Sequence, residues 1–145
     1  MATERLRSSM ERTLLIIKPD AVARNAIGEV LRRLEGEGFV IRELRMTTLT
    51  QERARAFYDV HRSRPFFADL VEFMTSGPVV PTVLEREAGV THLRKFIGET
   101  DSTQAAKGTI RREIGTDVQC NAVHASDSTE NAAREIGFFF SDNGS

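Results

Sequence analysis

Leu14-Leu15-Ile16-Ile17 is an unbroken apolar run, with Arg12 shortly before it and Pro19 shortly after. A strand with one wet face would alternate apolar and polar residues, and this run does not. It predicts a central strand buried on both faces. Downstream, Ile27, Val30, Leu31 and Leu34 recur at helical spacing, and Gly38 supplies a stop. Residues 39–46 read as a second strand. Thr50 is placed to cap a second helix that carries Ala54, Phe57 and Tyr58. Pro65 stands where a first-turn helix proline belongs, ahead of Phe67, Leu70, Val71 and Met74, and Gly77-Pro78 closes that helix.

Residues 79–84 read as a third strand and 88–97 as a short helix. Pro81 falls inside that strand, where a lost backbone donor is tolerated only at an edge or a bulge. Residues 98–120 form a long loop with room for one short helical turn, and loops of that length are often functional. Residues 121–124 make a short last strand. Residues 127–140 form an amphipathic helix, with Asp127 as its cap and Glu130 three residues on, as in a capping box. Ala132, Ala133, Ile136, Phe139 and Phe140 supply its buried stripe. The order of elements suggests an α+β sandwich, with helices over a mixed or antiparallel sheet.

The chain has 145 residues, which suits one domain spanning 1–145 with a core from about residue 11 to 140 and short polar ends. Lys and Arg total 20 and Asp and Glu total 21, so net charge gives no broad attraction to nucleic acid or anionic membranes. A single cysteine, Cys120, excludes an intrachain disulfide and suits a reducing compartment. No apolar run approaches the length of a membrane span, and residues 1–11 lack the apolar centre of a secretory signal. A cytoplasmic location is the default expectation.

Several chemistries are absent. There is no GxxxxGK[ST] segment, and the GxG begun by Gly36 and Gly38 meets Ile41 where the third glycine belongs. No GxSxG surrounds Ser126 or Ser128. Cys120 and His124 make half a zinc pair without a second half. The positive feature is the segment from Asn121 to Ser128. His124 ends an apolar stretch just ahead of a helix N-terminus, where free amides and the helix dipole favour an anion. Glu135, two turns into that helix, is spaced to orient the ring if the fold brings it within reach. Taken one at a time, these residues also have plain readings: His124 packed beside a cap, Ser126, Asp127 and Ser128 as caps, Lys18 as a surface charge. By themselves they stop at an α+β domain with a candidate anion site.

Taken together, six segments resemble those of nucleoside diphosphate kinases of the bacterial type. They are Ile17-Lys18-Pro19-Asp20, Arg64-Pro65-Phe66-Phe67, Ser76-Gly77-Pro78-Val79-Val80, Gly98-Glu99-Thr100, Gly108-Thr109-Ile110-Arg111 and Asn121-Ala122-Val123-His124-Ala125-Ser126-Asp127-Ser128. They stand in the family's order from about Arg12 to Phe140. The resemblance implies a ferredoxin-like sandwich, a four-stranded antiparallel sheet covered by helices, with a long functional loop before the last strand. It implies reversible ping-pong transfer of a γ-phosphate to a nucleoside diphosphate, with broad base and sugar tolerance. In that reading His124 takes the phosphate, and Glu135 and Ser126 orient it. Lys18, Tyr58, Arg94, Thr100 and Arg111 surround the phosphates, and Asn121 with Lys18 reaches the ribose hydroxyls. Phe66 and Val118 sandwich the base.

The resemblance further implies Mg2+ held mainly by nucleotide phosphates, with Asp127 nearby, and a homo-oligomer, tetramer or hexamer, built from dimers. The departures are Ala21 and Ala125 in place of familiar glycines, Asp101-Ser102 in place of Asn-Pro, and Pro81. A silent family member would have lost His124, Lys18 or Arg111, and none is lost. A nucleic-acid-binding sheet would interleave aromatics with basic residues on its strands, and these strands are mostly aliphatic.

Overall fold

Leu14, Leu15, Ile16 and Ile17 are all 0 % exposed. They lie at the end of β1 (Met10–Ile17), in the interior of the sheet, and burying each contributes roughly 1.5–3 kcal/mol. The computed structural model describes residues 10–141. With β2 (Val40–Leu44), β3 (Val80–Glu87) and β4 (Val123–Ala125), β1 forms one antiparallel sheet in the order β2-β3-β1-β4. Successive side chains of β1 point to opposite faces, so each face has its own core. Leu15 and Ile17 join Val30 and Leu34 of α2 (Ile27–Gly36), Leu93 and Ile97 of α5 (Gly89–Ile97), and Ile110 of α6 (Ile110–Ile114). Leu14 and Ile16 join Phe57 of α3 (Gln51–Phe57), Val71 and Met74 of α4 (Phe67–Met74), and Phe139 of α7 (Thr129–Phe140).

Several expected boundaries move, each for a local reason. A five-residue helix, α1 (Pro19–Ala23), follows β1 directly. Pro19 ends the strand and also opens this helix at its first position, where a missing N–H costs nothing. Pro65 does not occupy a first helical turn: α4 starts at Phe67, and Pro65 lies in the turn before it. The cap of α7 is Ser128, whose hydroxyl accepts from the Asn131 amide at 3.1 Å. Asp127 instead accepts from the Asn131 side chain at 2.6 Å. β2 ends at Leu44, shorter than expected, and its register against β3 shifts between Ile41 and Glu43. The loop at 98–120 holds α6 and a 3-10 turn at Ser102–Gln104. Thr50 caps α3 as expected, accepting from the Arg53 amide at 3.1 Å. The polar lead-in and tail fall almost wholly outside the described residues. Among the described residues no helix is long and apolar enough to cross a membrane.

Pro81 sits in an interior strand, yet its geometry limits the loss. Its carbonyl accepts from the Arg45 amide at 3.2 Å, so its backbone polar side faces the β2 edge rather than β1. Arg45 lies just past the end of β2, and pairing resumes only at the isolated Thr47–Val79 bridge. The missing donor therefore falls where the ladder is already breaking off.

Gly38 has a different task. Its φ of 91° lets its amide reach Glu35 O at 3.0 Å and the Phe39 amide reach Leu34 O at 3.1 Å, closing α2 with a left-handed cap. A Cβ there would meet only Arg86 Nε at 3.5 Å, so the penalty for a side chain is conformational rather than steric. Gly38→Ala is expected to lower stability by about 1–2 kcal/mol, read as a lower urea midpoint with an unchanged slope.

Candidate active site

β4 is short, but its pairing fixes where His124 points. His124 lies opposite Ile16, and opposed residues share a sheet face. That face carries α3, α4 and α7. The imidazole packs edge-on against Phe57 (ring centroids 5.4 Å apart) and Tyr58 (6.0 Å). Behind it, Glu135 of α7 is 6 % exposed and brings Oε1 to 3.0 Å from His124 Nε2. The Ser126 hydroxyl donates to that same oxygen at 2.6 Å. Burial works against the Glu135 charge, but the bonds from His124 and Ser126 outweigh it and hold the carboxyl pKa below its usual range. An ionised carboxylate only accepts, so Nε2 must carry the hydrogen. In the neutral ring Nδ1 then holds the free lone pair.

Cations gather on the same side from distant parts of the chain. Lys18 leaves the end of β1 and donates through Nζ to Asn121 Oδ1 and to the Gln119 carbonyl, each at 2.8 Å. Asn121 in turn donates to the carbonyls of Thr100 (2.9 Å) and Val118 (3.1 Å), tying the long loop to β1. Arg111 of α6 spans Gly98 O (3.1 Å) and Val123 O (2.9 Å). Arg94 of α5 donates to Ala125 O at 3.1 Å. Burial pulls the Lys18 pKa down to about 8, with Asp20 working against the fall and Arg111 adding to it. Burial, reinforced by Arg94, pulls Arg111 down to about 10. Lys18 and Arg111 bear charge in a poorly solvated place, and among the described residues neither has a carboxylate within ion-pair distance, a state common at functional sites.

They line one cavity of about 590 Å³. Of the residues singled out from sequence, Lys18, Tyr58, Phe66, Arg94, Thr100, Arg111, Val118, Asn121, His124, Asp127 and Glu135 all border it. Ser126 stands behind Glu135, 1 % exposed. Burial and the nearby Glu135 charge push the Tyr58 hydroxyl pKa up, so it stays a protonated donor. Phe66 and Val118, which border the cavity, are 48 % and 59 % exposed. The sequence did not single out Phe57, His61, Asn131 or Arg134, which also border the cavity. Asn131 was within reach, since it stands four residues after Asp127, the cap expected for the same helix. Arg134 contacts Glu135 Oε2 at 3.5 Å, and nothing in its type or spacing marks it.

The family model described as nucleoside diphosphate kinase matches residues 11–144. A nucleoside diphosphate kinase of Desulforapulum autotrophicum is 54 % identical over 133 residues, covering 92 % of this chain and 96 % of that protein. The crystal structure of the Aquifex aeolicus nucleoside diphosphate kinase matches with a TM-score of 0.90 at 53 % identity, covering 92 % of this chain and 96 % of that one. A Halobacterium salinarum nucleoside diphosphate kinase in complex with CDP matches with a TM-score of 0.88 at 39 % identity, covering 92 % and 90 %.

A polyphosphate in the cavity favours the charged form of Lys18. Free Lys18 loses its proton as pH rises through about 8. Tripolyphosphate binding at about pH 8.5 is therefore expected to take up a proton, seen by calorimetry in buffers of different ionisation heat. The uptake should fade below about pH 7 and vanish in Lys18→Met.

Proposed function

This chain belongs to the nucleoside diphosphate kinase family and moves phosphate between nucleotides, and we propose that it does so through a transient phosphohistidine at His124, with the whole chain acting as one catalytic domain. The carrying observation is the hydrogen bond from His124 Nε2 to Glu135, which leaves Nδ1 as the nucleophile. Nδ1 attacks the γ-phosphorus of a nucleoside triphosphate, and the bond to the departing diphosphate oxygen breaks. A nucleoside diphosphate then attacks the phosphorus from the same side of the cavity, and the N–P bond breaks. The two displacements are close to isoenergetic, so the shuttle runs in both directions, and the covalent intermediate divides one transfer into two.

Neither step needs a proton moved to or from Nδ1. The protein's part is to hold the phosphates in line and to neutralise charge on their oxygens. Lys18, Arg94, Arg111, Thr100 and the Tyr58 hydroxyl suit that role, and planar guanidinium groups suit phosphate oxygens. Glu135 offsets the positive charge that develops on the ring during attack. Asn121 and Lys18 are assigned to the ribose hydroxyls, and Phe66 and Val118 to the two faces of the base. A base held mainly by stacking is poorly discriminated, which supports broad tolerance.

The family works with a divalent metal on the nucleotide, and the donor set here fits that use. Among the described residues no three His, Cys, Asp or Glu side chains cluster as a protein cage. Asp127 borders the cavity, and its Oδ1 accepts from Asn131 at 2.6 Å. Asp127 would hold Mg2+ through water, and the bound ion would neutralise phosphate charge. The assembly we propose is a homo-oligomer built from dimers. Its support is the edge strand β2, whose Val40 and Leu44, with Met46 just beyond its end, are 42 %, 45 % and 56 % exposed. The proposed location is the cytoplasm, where the single cysteine suits a reducing compartment.

Brief mixing with magnesium-ATP is expected to give an acid-labile, base-stable phosphoprotein, whereas an acid-stable one would mean a serine ester. His124→Ala should abolish both label and transfer while keeping the fold by circular dichroism. Arg111→Ala should lower kcat by about 10²–10³, the usual loss for one buried donor to a charged transition state.

A further inference from the structure

The turn between Asn121 and His124 is strained. Ala122 has φ of 74°, in the left-handed region that non-glycine residues rarely adopt, and it is 0 % exposed. Such a conformation persists only where its surroundings hold it. Two bonds do so, and both come from the segment that follows β1. The Lys18 amide donates to Ala122 O at 2.9 Å. Asp20 Oδ2 accepts from the Ala122 amide at 3.0 Å. The residues flanking Ala122 are Asn121, which holds the Lys18 ammonium, and Val123, whose carbonyl holds Arg111.

The second oxygen of Asp20 is unexplained by this clamp. Oδ1 is buried and, among the described residues, has no hydrogen-bond partner. A neutral acceptor would serve the Ala122 amide as well, without the cost of a buried carboxylate oxygen left unpaired. A negative charge here does have an object: Lys18, two residues earlier, is buried, and both that burial and Arg111 work against its charge.

We propose that Asp20 is a positioning residue for phosphate transfer, clamping the strained Ala122 turn and supplying the negative charge that keeps Lys18 protonated in the empty site. The proposal rests on the reading of Lys18 as a phosphate ligand. The charged and titratable groups that face Lys18 are Asp20 of α1, Arg111 of α6, and Asp117 and Cys120 of the long loop, with the Phe73 ring of α4 at 5.3 Å. Asp20 is the largest of the influences that keep its pKa up, and Arg111 acts the other way. The bare thiol of Cys120 also titrates in the alkaline range, so it must be removed from the test.

The experiment is the pH profile of kcat/KM from pH 6 to 10, in a Cys120→Ser background, for the parent, Asp20→Asn, Asp20→Glu and Asp20→Ala. The parent should fall on the alkaline side with a midpoint near 8, as free Lys18 loses its proton. Asp20→Asn keeps an acceptor for the Ala122 amide but removes the charge. Its alkaline limb should move down by about one pH unit, the common size for losing a nearby opposite charge, with little change in the thermal midpoint. Asp20→Glu should return the limb toward the parent's. Asp20→Ala should show the same moved limb together with a lowered thermal midpoint. An alkaline limb that stays in place in Asp20→Asn, whatever the activity, overturns the proposal while leaving Lys18 in its role. A parent profile flat to pH 10 overturns both.

Discussion

The site depends on one hydrogen bond, between the Glu135 carboxylate and Nε2 of His124. It decides which ring nitrogen is free, and so whether the imidazole presents a lone pair or an N–H to the cavity. The bond needs Glu135 ionised in a buried place. Ser126 donates to the same oxygen, and Arg134 stands at 3.5 Å from the other. It also needs α7 to begin close behind β4. Ser128 caps the helix three residues after the strand ends, leaving no slack between histidine and carboxylate.

Around that bond the fold accepts costs that a purely structural protein would shed. Lys18 and Arg111 are each 6 % exposed and spend their donors on carbonyls and an amide oxygen rather than on carboxylates. Among the described residues Arg111 Nε has no hydrogen-bond partner. Ala122 sits in a left-handed turn. Such features cost of order 1–3 kcal/mol each, against a total stability of about 5–15 kcal/mol. The two apolar layers on either side of β1 supply the stability that carries them. In the proposed reaction an arriving polyphosphate would meet cations that are already desolvated and already aimed, so they would act on the transition state without reorganising.

Much of this was legible in the sequence, and the misses have causes. The β1 run was readable because four successive apolar residues leave no wet face. The resemblance carried the constellation spread from Lys18 to Glu135, which periodicity could not have assembled, since its members meet only in the folded sheet. Helix α1 was hidden because Pro19 was read as a stop and not also as a start. Asp127 and Ser128 are both good caps, and only the side-chain geometry chose between them. The Ala122 turn was invisible because alanine carries no signal for a left-handed backbone. Arg134 was hidden because neighbours on a helix point about 100° apart, so a charge beside Glu135 gave no hint of sharing its cavity.

The central claim is that Nδ1 of His124, and not Nε2, makes the bond to phosphorus. Long-range proton–nitrogen correlation spectra of the phosphoenzyme, made with 15N-labelled histidine, read this directly. The account predicts that the nitrogen bearing phosphorus is Nδ1, with Nε2 still protonated. A phosphoryl group on Nε2 would contradict it, because that nitrogen could not then hold Glu135.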